Sequence, residues 1–151
     1  MVCLGNICRS PLAQAILQHK INAVGLPWQV HSAGTNGLHN GQAPHPLSQQ
    51  VAALHGLTIS HQVSRRITMA DMQHYDYIVV LANDVLNDVK HIMGNTYNAD
   101  KVLLLLNILH PGTNQDVPDP YYGGIAGYYK VYNILDEACN ALLTKLISHS
   151  I

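Results

Sequence analysis

Cys3 and Arg9 enclose five residues in the run Cys3-Leu4-Gly5-Asn6-Ile7-Cys8-Arg9-Ser10-Pro11. A thiolate is a strong nucleophile, and a guanidinium fork matches two oxygens of a phosphate. At the two ends of one short loop, the pair predicts attack of sulfur on a phosphoryl group. Gly5 and Asn6 tolerate left-handed backbone, so the loop can curl and turn successive N–H groups inward as an anion nest. That nest would take its donors from Leu4, Gly5, Asn6, Ile7, Cys8, Arg9 and Ser10. A helix opening at Ser10-Pro11 adds its positive end. The same field favours the thiolate of Cys3, and Ser10 can donate a hydrogen bond to the sulfur as it departs. The plainer alternative is a buried cysteine beside an ordinary helix start. Cysteine and arginine at this spacing arise by chance, but the complete run is far more specific.

Cleaving a phosphate ester also needs a proton for the leaving group. A carboxylic acid on a mobile loop supplies it, then acts as base toward water. The stretch 107–124 has no periodicity, and loops this long in small domains are usually functional. It carries two candidates, Asp116 and Asp119.

These groups must be held by regular elements. Met1–Leu4 is apolar but short for a strand. Ser10 as N-cap and Pro11 at the first helical position open a helix, with Leu12, Ala15, Ile16, His19 and Ala23 at helical spacing. Gly25 and Pro27 stop it. Gln29–Ser32 reads as a second strand, followed by a glycine-rich loop over 33–46. Leu47, Val51 and Leu54 mark a helix ended by Gly56. Thr68-Met69-Ala70-Asp71 is a capping box with Asp in place of Glu. Tyr77–Ala82 and Val102–Leu106 are apolar without alternation, as strands buried on both faces are. A helix spans Asp84–Met93, and the last runs from about Tyr128 to His149. Strands alternating with helices predict an α/β fold with a parallel sheet covered on both sides, ligands sitting at the carboxyl ends of the strands. The first strand ends at Cys3.

Bulk composition agrees with a single domain over 1–151. Apolar residues make up 48% of the chain and charged residues 11%, which is globular rather than disordered. The formal net charge of −1 gives no reason to expect nucleic acid or membrane as a partner. Three cysteines, Cys3, Cys8 and Cys139, do not make a secreted disulfide framework. A reducing, cytoplasmic location is expected, and Cys139 reads as structural. No signal peptide and no membrane span are evident. The histidines show no metal-ligand spacing, so neither metal nor cofactor is expected.

The run from Cys3 to Pro11 closely resembles the phosphate-binding loop of the low-molecular-weight protein tyrosine phosphatases. Val30-His31-Ser32-Ala33-Gly34-Thr35 resembles the family's second strand and loop, Ile59-Ser60-His61 its histidine segment, and Asp119-Pro120-Tyr121-Tyr122 its acid loop. The resemblance implies a three-layer α/β/α fold around a four-stranded parallel sheet, the phosphate-binding loop lying between first strand and first helix. It implies metal-free hydrolysis of phosphotyrosine in proteins through a phosphocysteine on Cys3, with phosphate or sulfate as loop ligand. It selects Asp119 as acid and leaves Asp116 a solvated loop residue. It assigns Asn6, Ser32 and His61 to a polar network under the loop. Tyr121 and Tyr122 form an aromatic wall for the substrate ring, with Leu38 opposite; the resemblance also suggests phosphorylation of the two tyrosines, against which stands plain packing on the surface. For Cys8 it suggests a reversible disulfide with Cys3, against which stands a small side chain facing the core.

The chain departs from the resemblance in places. Only Met1 and Val2 precede Cys3 where relatives usually carry several apolar residues. Leu38-His39 replaces a common aromatic, which predicts an aliphatic wall opposite Tyr121. Ala82-Asn83 replaces Met-Asp near the third strand's end, which removes one carboxylate near the site, with Asp84 a candidate to replace it in part. Three rival functions compete. An arsenate reductase would need further cysteines to relay a disulfide, and only Cys139 lies downstream. A phosphoarginine hydrolase typically has Thr where Ile7 stands. A phosphate-binding module would need no nucleophile and acid together.

Overall fold

The computed structural model describes residues 1–149; the last two positions of the expected 1–151 domain lie outside them. The elements are β1 (Val2–Cys3), α1 (Arg9–Ala23), β2 (Ala33–Gly34), α2 (Pro46–Leu54), α3 (Met69–His74), β3 (Ile78–Val80), α4 (Asn83–Met93), β4 (Val102–Leu104) and α5 (Ile125–Ile147). The four strands are parallel, in the order β2-β1-β3-β4. The short β1 is therefore central, with Val2 opposite Ala33 on one side and Val80 on the other.

Helices cover both faces, and strand alternation decides which residue meets which layer. Ile78, Val80 and Ala82 face α4 with Val85, Val89 and Met93. Val79 and Leu81 turn the other way, into the core built with α1, α2 and α5. This is the expected three-layer α/β/α arrangement. Leu12, Ile16 and Ile21 of α1 meet Val131, Leu135 and Leu142 of α5, all almost wholly buried. Truncating any of them to alanine would cost about 2–5 kcal/mol. His19 and Ala23, expected on that face, are exposed, and Leu17 and Ile21 take their place.

β3 and β4 are shorter than the expected Tyr77–Ala82 and Val102–Leu106, α5 starts at Ile125 rather than about Tyr128, and two further differences bear on the site. The second strand is Ala33–Gly34, not Gln29–Ser32, because only from Ala33 onward does the chain run beside β1. Helix α1 begins at Arg9 with Cys8 as an uncapped N-cap, so Ser10 is inside the helix and its hydroxyl is free for other work. The capping box at Thr68 and Asp71 is present. Among the described residues no helix is long and apolar enough to cross a membrane.

Candidate active site

The loop 4–8 joins the carboxyl end of β1 to the amino end of α1. Asn6 adopts φ 57°, the left-handed conformation the curl requires, whereas Gly5 does not. All but one of the carbonyls from Cys3 to Cys8 are tied to neighbouring segments. Thr35 N–H donates to the oxygens of Cys3 and Leu4 at 3.2 and 2.9 Å, and Asn36 N–H also to Leu4. Ser64 Oγ donates to Gly5 O at 3.1 Å, His45 N–H to Ile7 O at 2.8 Å, and Ser48 Oγ to Cys8 O at 3.1 Å. The N–H groups of Gly5, Asn6, Ile7 and Cys8 donate to no acceptor among the described residues. The first turn of α1 leaves those of Arg9 and Ser10 without intrahelical partners. A loop with its oxygens anchored and its N–H groups unpaired is an anion cradle.

Cys3 is 2% exposed, and its Sγ lies 3.0 Å from Ser10 Oγ. Asn6 Nδ2 donates to Ser10 Oγ at 2.7 Å and to Ser32 Oγ at 2.9 Å, while Asn6 Oδ1 accepts from Arg65 N–H at 3.1 Å. The one left-handed residue is thus pinned through both ends of its amide. Arg65 is held in turn by a two-pronged pair with Asp71, at 3.0 and 3.1 Å. Burial alone would raise the Asp71 carboxyl, but hydrogen bonds from Arg65 and Thr68 bring it below the usual range.

The expected network of Asn6, Ser32 and His61 needs correction. Asn6 and Ser32 belong to it, but His61 is exposed and makes no hydrogen bond among the described residues. The chain turns inward one residue later, where Gln62 Nε2 donates to Pro11 O at 3.1 Å. Ser10, Ser64 and Arg65 complete the support. Nothing in the local pattern marks Ser64 and Arg65, whose contacts depend on the distant loop.

Arg9 is buried at 4% exposure. Its Nη1 donates to Val117 O at 3.0 Å, and its Nη2 lies 3.5 Å from Asp119 Oδ2. Asp119 Oδ1 accepts from Tyr121 N–H, and the side chain is 43% exposed at the mouth of the cradle. Asp116 is not merely solvated. Its Oδ1 accepts from the backbone and side-chain amides of Asn83 at 2.8 and 2.7 Å, fastening the acid loop to the start of α4. Asp84 Oδ1 accepts from Val85 N–H within its own helix.

Tyr121 is flanked by imidazoles rather than by an aliphatic wall. Its ring centroid lies 6.2 Å from that of His39 and 5.9 Å from that of His45, and Tyr122 packs edge-on at 4.9 Å. Leu38 is 76% exposed and Tyr122 95%. His45 stacks on Tyr128 at 5.3 Å, and Tyr128 OH meets Cys8 Sγ at 3.4 Å. Burial pushes the Cys8 thiol up to about 11, partly offset by that hydrogen bond, and burial also raises Tyr128. His45 was missed in the sequence because an imidazole is an unusual N-cap; here its Nδ1 accepts from Leu47 N–H. Cys139 is fully buried between α1 and α5, with its thiol raised to about 12 by burial. Its burial leaves it no exposed thiol for the disulfide relay that the arsenate-reductase reading needs. Cys3 and Cys8 are both free thiols.

Comparison with known proteins follows the same line. The family described as low molecular weight phosphotyrosine protein phosphatase matches residues 1–150. A Schizosaccharomyces pombe protein of that name is 34% identical, across 93% of this chain and 92% of its own. A protein tyrosine phosphatase from Entamoeba histolytica, solved with Hepes in its active site, superposes with TM-score 0.91 and 33% identity, covering 99% of this chain and 96% of that one. The Drosophila arginine phosphatase superposes at 0.87 with 31% identity, covering 96% and 94%.

Proposed function

The chain belongs to the low molecular weight phosphotyrosine protein phosphatase family, and from that premise we propose how its own residues hydrolyse phosphotyrosine in proteins. The phosphate dianion seats in the cradle of Leu4 to Ser10, with Arg9 as clamp. Cys3 sulfur attacks phosphorus as the ester P–O bond breaks, and Asp119 gives its proton to the departing phenolate. Water then attacks the phosphocysteine, Asp119 takes its proton, and the S–P bond breaks to release inorganic phosphate. Ser10 hydroxyl, 3.0 Å from the sulfur, stabilises the thiolate as it leaves. Nucleophile, clamp and acid all come from the chain.

The observation that carries the reading is the polarity of the loop. All but one of its carbonyls are bonded to neighbouring segments while four successive N–H groups have no acceptor among the described residues, beside a buried cysteine and arginine. Asn6, Ser10 and Ser32 hold that shape. Tyr121, with His39 and His45 behind it, forms the wall for the substrate ring, and exposed Tyr122 and Leu38 border it. The site would bind free phosphate or sulfate in the same cradle. We assign residues 1–151 to one phosphatase domain acting in the cytoplasm, where Cys3 stays reduced.

The test is turnover of a phosphotyrosine peptide beside phosphoserine and phosphoarginine peptides, with wild type, Cys3→Ala and Asp119→Ala. The expected result is preference for phosphotyrosine and a labelled phosphoenzyme that Cys3→Ala does not form. Faster turnover of phosphoarginine would replace the substrate assignment, and a phosphoenzyme formed by Cys3→Ala would overturn the mechanism.

A further inference from the structure

One carboxylate oxygen of the acid loop collects two hydrogen bonds from a different element. Asp116 Oδ1 accepts from the backbone N–H of Asn83 at 2.8 Å and from its side-chain Nδ2 at 2.7 Å. The same Nδ2 donates to Asn114 O at 2.8 Å. Asn114 adopts φ 51°, and its N–H and its Oδ1 are both held by the side-chain amide of Asn107, at 2.9 Å each. The residue types account for the contact at α4. Its N-cap is Ala82, which has no side-chain acceptor for the first N–H groups of the helix. Asp116 supplies one from another segment, and its charge meets the positive end of α4. The Asn83 amide donates to that carboxylate, where a second carboxylate would repel it.

What Asp116 holds lies immediately after it. Val117 N–H donates to Leu81 O at 2.8 Å, and Val117 O accepts from Arg9 Nη1 at 3.0 Å. Asp119 follows two residues on, with its carboxylate 3.5 Å from Arg9 Nη2. The bonds from Tyr121 N–H to Asp119 Oδ1 and from Gly123 N–H to Pro120 O lie within the loop, so they shape it without attaching it. A single backbone attachment at Val117 would let the loop pivot about that point. A second attachment, one residue away and on a different element, stops the pivot. The loop is thereby pinned just beyond β3 at Leu81 and at the start of α4 at Asn83.

We propose that Asp116 and Asn83 form a positioning pair for the general acid, fixing the loop so that Asp119 presents its carboxyl to the leaving oxygen of an ester seated in the cradle. The inference rests on Asp119 being the acid. The pair acts through Asp119 and not on the ester itself. Its loss therefore costs most where the leaving group most needs a proton. A pair that only stabilised the fold would show no such dependence on the leaving group.

The experiment compares wild type, Asp116→Ala, Asp116→Asn, Asn83→Asp and Asp119→Ala in kcat/KM for two esters, phenyl phosphate and 2,4-dinitrophenyl phosphate. The second releases a phenolate that departs without protonation. Asp116 is exposed, so its replacement does not disturb the core. Asp116→Ala should lose roughly ten- to hundredfold on phenyl phosphate, the scale of a misplaced catalytic group, and far less on the dinitrophenyl ester. Asp116→Asn keeps an oxygen acceptor for both Asn83 donors and should behave nearly as wild type on both esters. Asn83→Asp sets two carboxylates face to face and should show the same leaving-group dependence as Asp116→Ala. With that dependence present in Asp119→Ala, equal losses on both esters or wild-type kinetics in Asp116→Ala would overturn the proposal. Equal losses in Asp119→Ala itself would instead remove the acid assignment, and the positioning pair with it.

Discussion

Arg9 Nη2 lies 3.5 Å from Asp119 Oδ2, so the phosphate clamp and the proposed acid hold each other across the mouth of the cradle. Phosphate must draw Arg9 away from that carboxylate. Asp119→Ala should therefore move two quantities in opposite directions. Turnover of phenyl phosphate should fall by roughly 10²–10⁴-fold for loss of general acid–base catalysis. Inhibition by inorganic phosphate should tighten by roughly two- to fivefold, the scale of a partly exposed ion pair. Weaker phosphate inhibition in the variant would show that the pair does not compete with substrate.

The acid's share depends on the leaving group. With 2,4-dinitrophenyl phosphate, whose phenolate departs without a proton, the loss in Asp119→Ala should shrink toward the contribution of the base step. Equal losses for both esters, measured as kcat/KM, would contradict Asp119 as proton donor.

Asn6 couples a left-handed backbone to three side-chain hydrogen bonds. Asn6→Gly keeps the backbone freedom and loses the bonds; Asn6→Ala loses both. Asn6→Ala should be less stable than Asn6→Gly by about 1 kcal/mol, the cost of a left-handed alanine, read from thermal or urea unfolding. Both should lose activity, since Ser10 and Ser32 are released in either.

Gly34 is packed beneath the same loop. A Cβ there would lie 2.8 Å from Leu4 O and 3.0 Å from Asn6 N, both backbone atoms that cannot swing aside. Gly34→Ala should cost about 1–3 kcal/mol as an overpacked site. It should also lower kcat/KM, because relief comes only by moving the cradle. A variant with wild-type stability and kinetics would count against this packing.

Cys8 and Cys139 are neutral thiols held up by burial, to about 11 and about 12. Once unfolded they ionise near the ordinary value for cysteine. Between that value and the folded one, the unfolded chain binds fewer protons, so stability falls as pH rises. The slope is at most about 1.4 kcal/mol per pH unit for each thiol. Below pH 8 neither contributes. Unfolding measured from pH 8 to 11 should flatten in a Cys8→Ala, Cys139→Ala double variant compared with wild type.

The cradle was legible because its parts are contiguous. Cys3, Arg9 and Ser10 are placed by one turn between a strand and a helix, and that order is written in nine residues. Asp119 was legible through resemblance alone, since its distance from Arg9 depends on Val117, which is pinned by Leu81 O on one side and Arg9 on the other. Misreadings fell where local and tertiary demands compete. Ser10 read as a helix cap, but its hydroxyl serves Cys3 and Asn6 instead. His61 read as a member of the network, but the inward turn comes at Gln62. The wall beside Tyr121 was expected to be aliphatic because Leu38 stood in line for it. His39 and His45 take that place through ring packing that spacing does not encode.

The two-residue strand β1 has a consequence for how the protein acquires activity. Val2 is paired with residues 31 and 78 positions away, and both partners are needed to fix the strand that carries Cys3. Such non-local closure is slow compared with helix formation. In refolding from denaturant, helical signal should return first and catalysis last. The nucleophilic run, contiguous as it is, stays catalytically silent until β3 and the acid loop have closed around it.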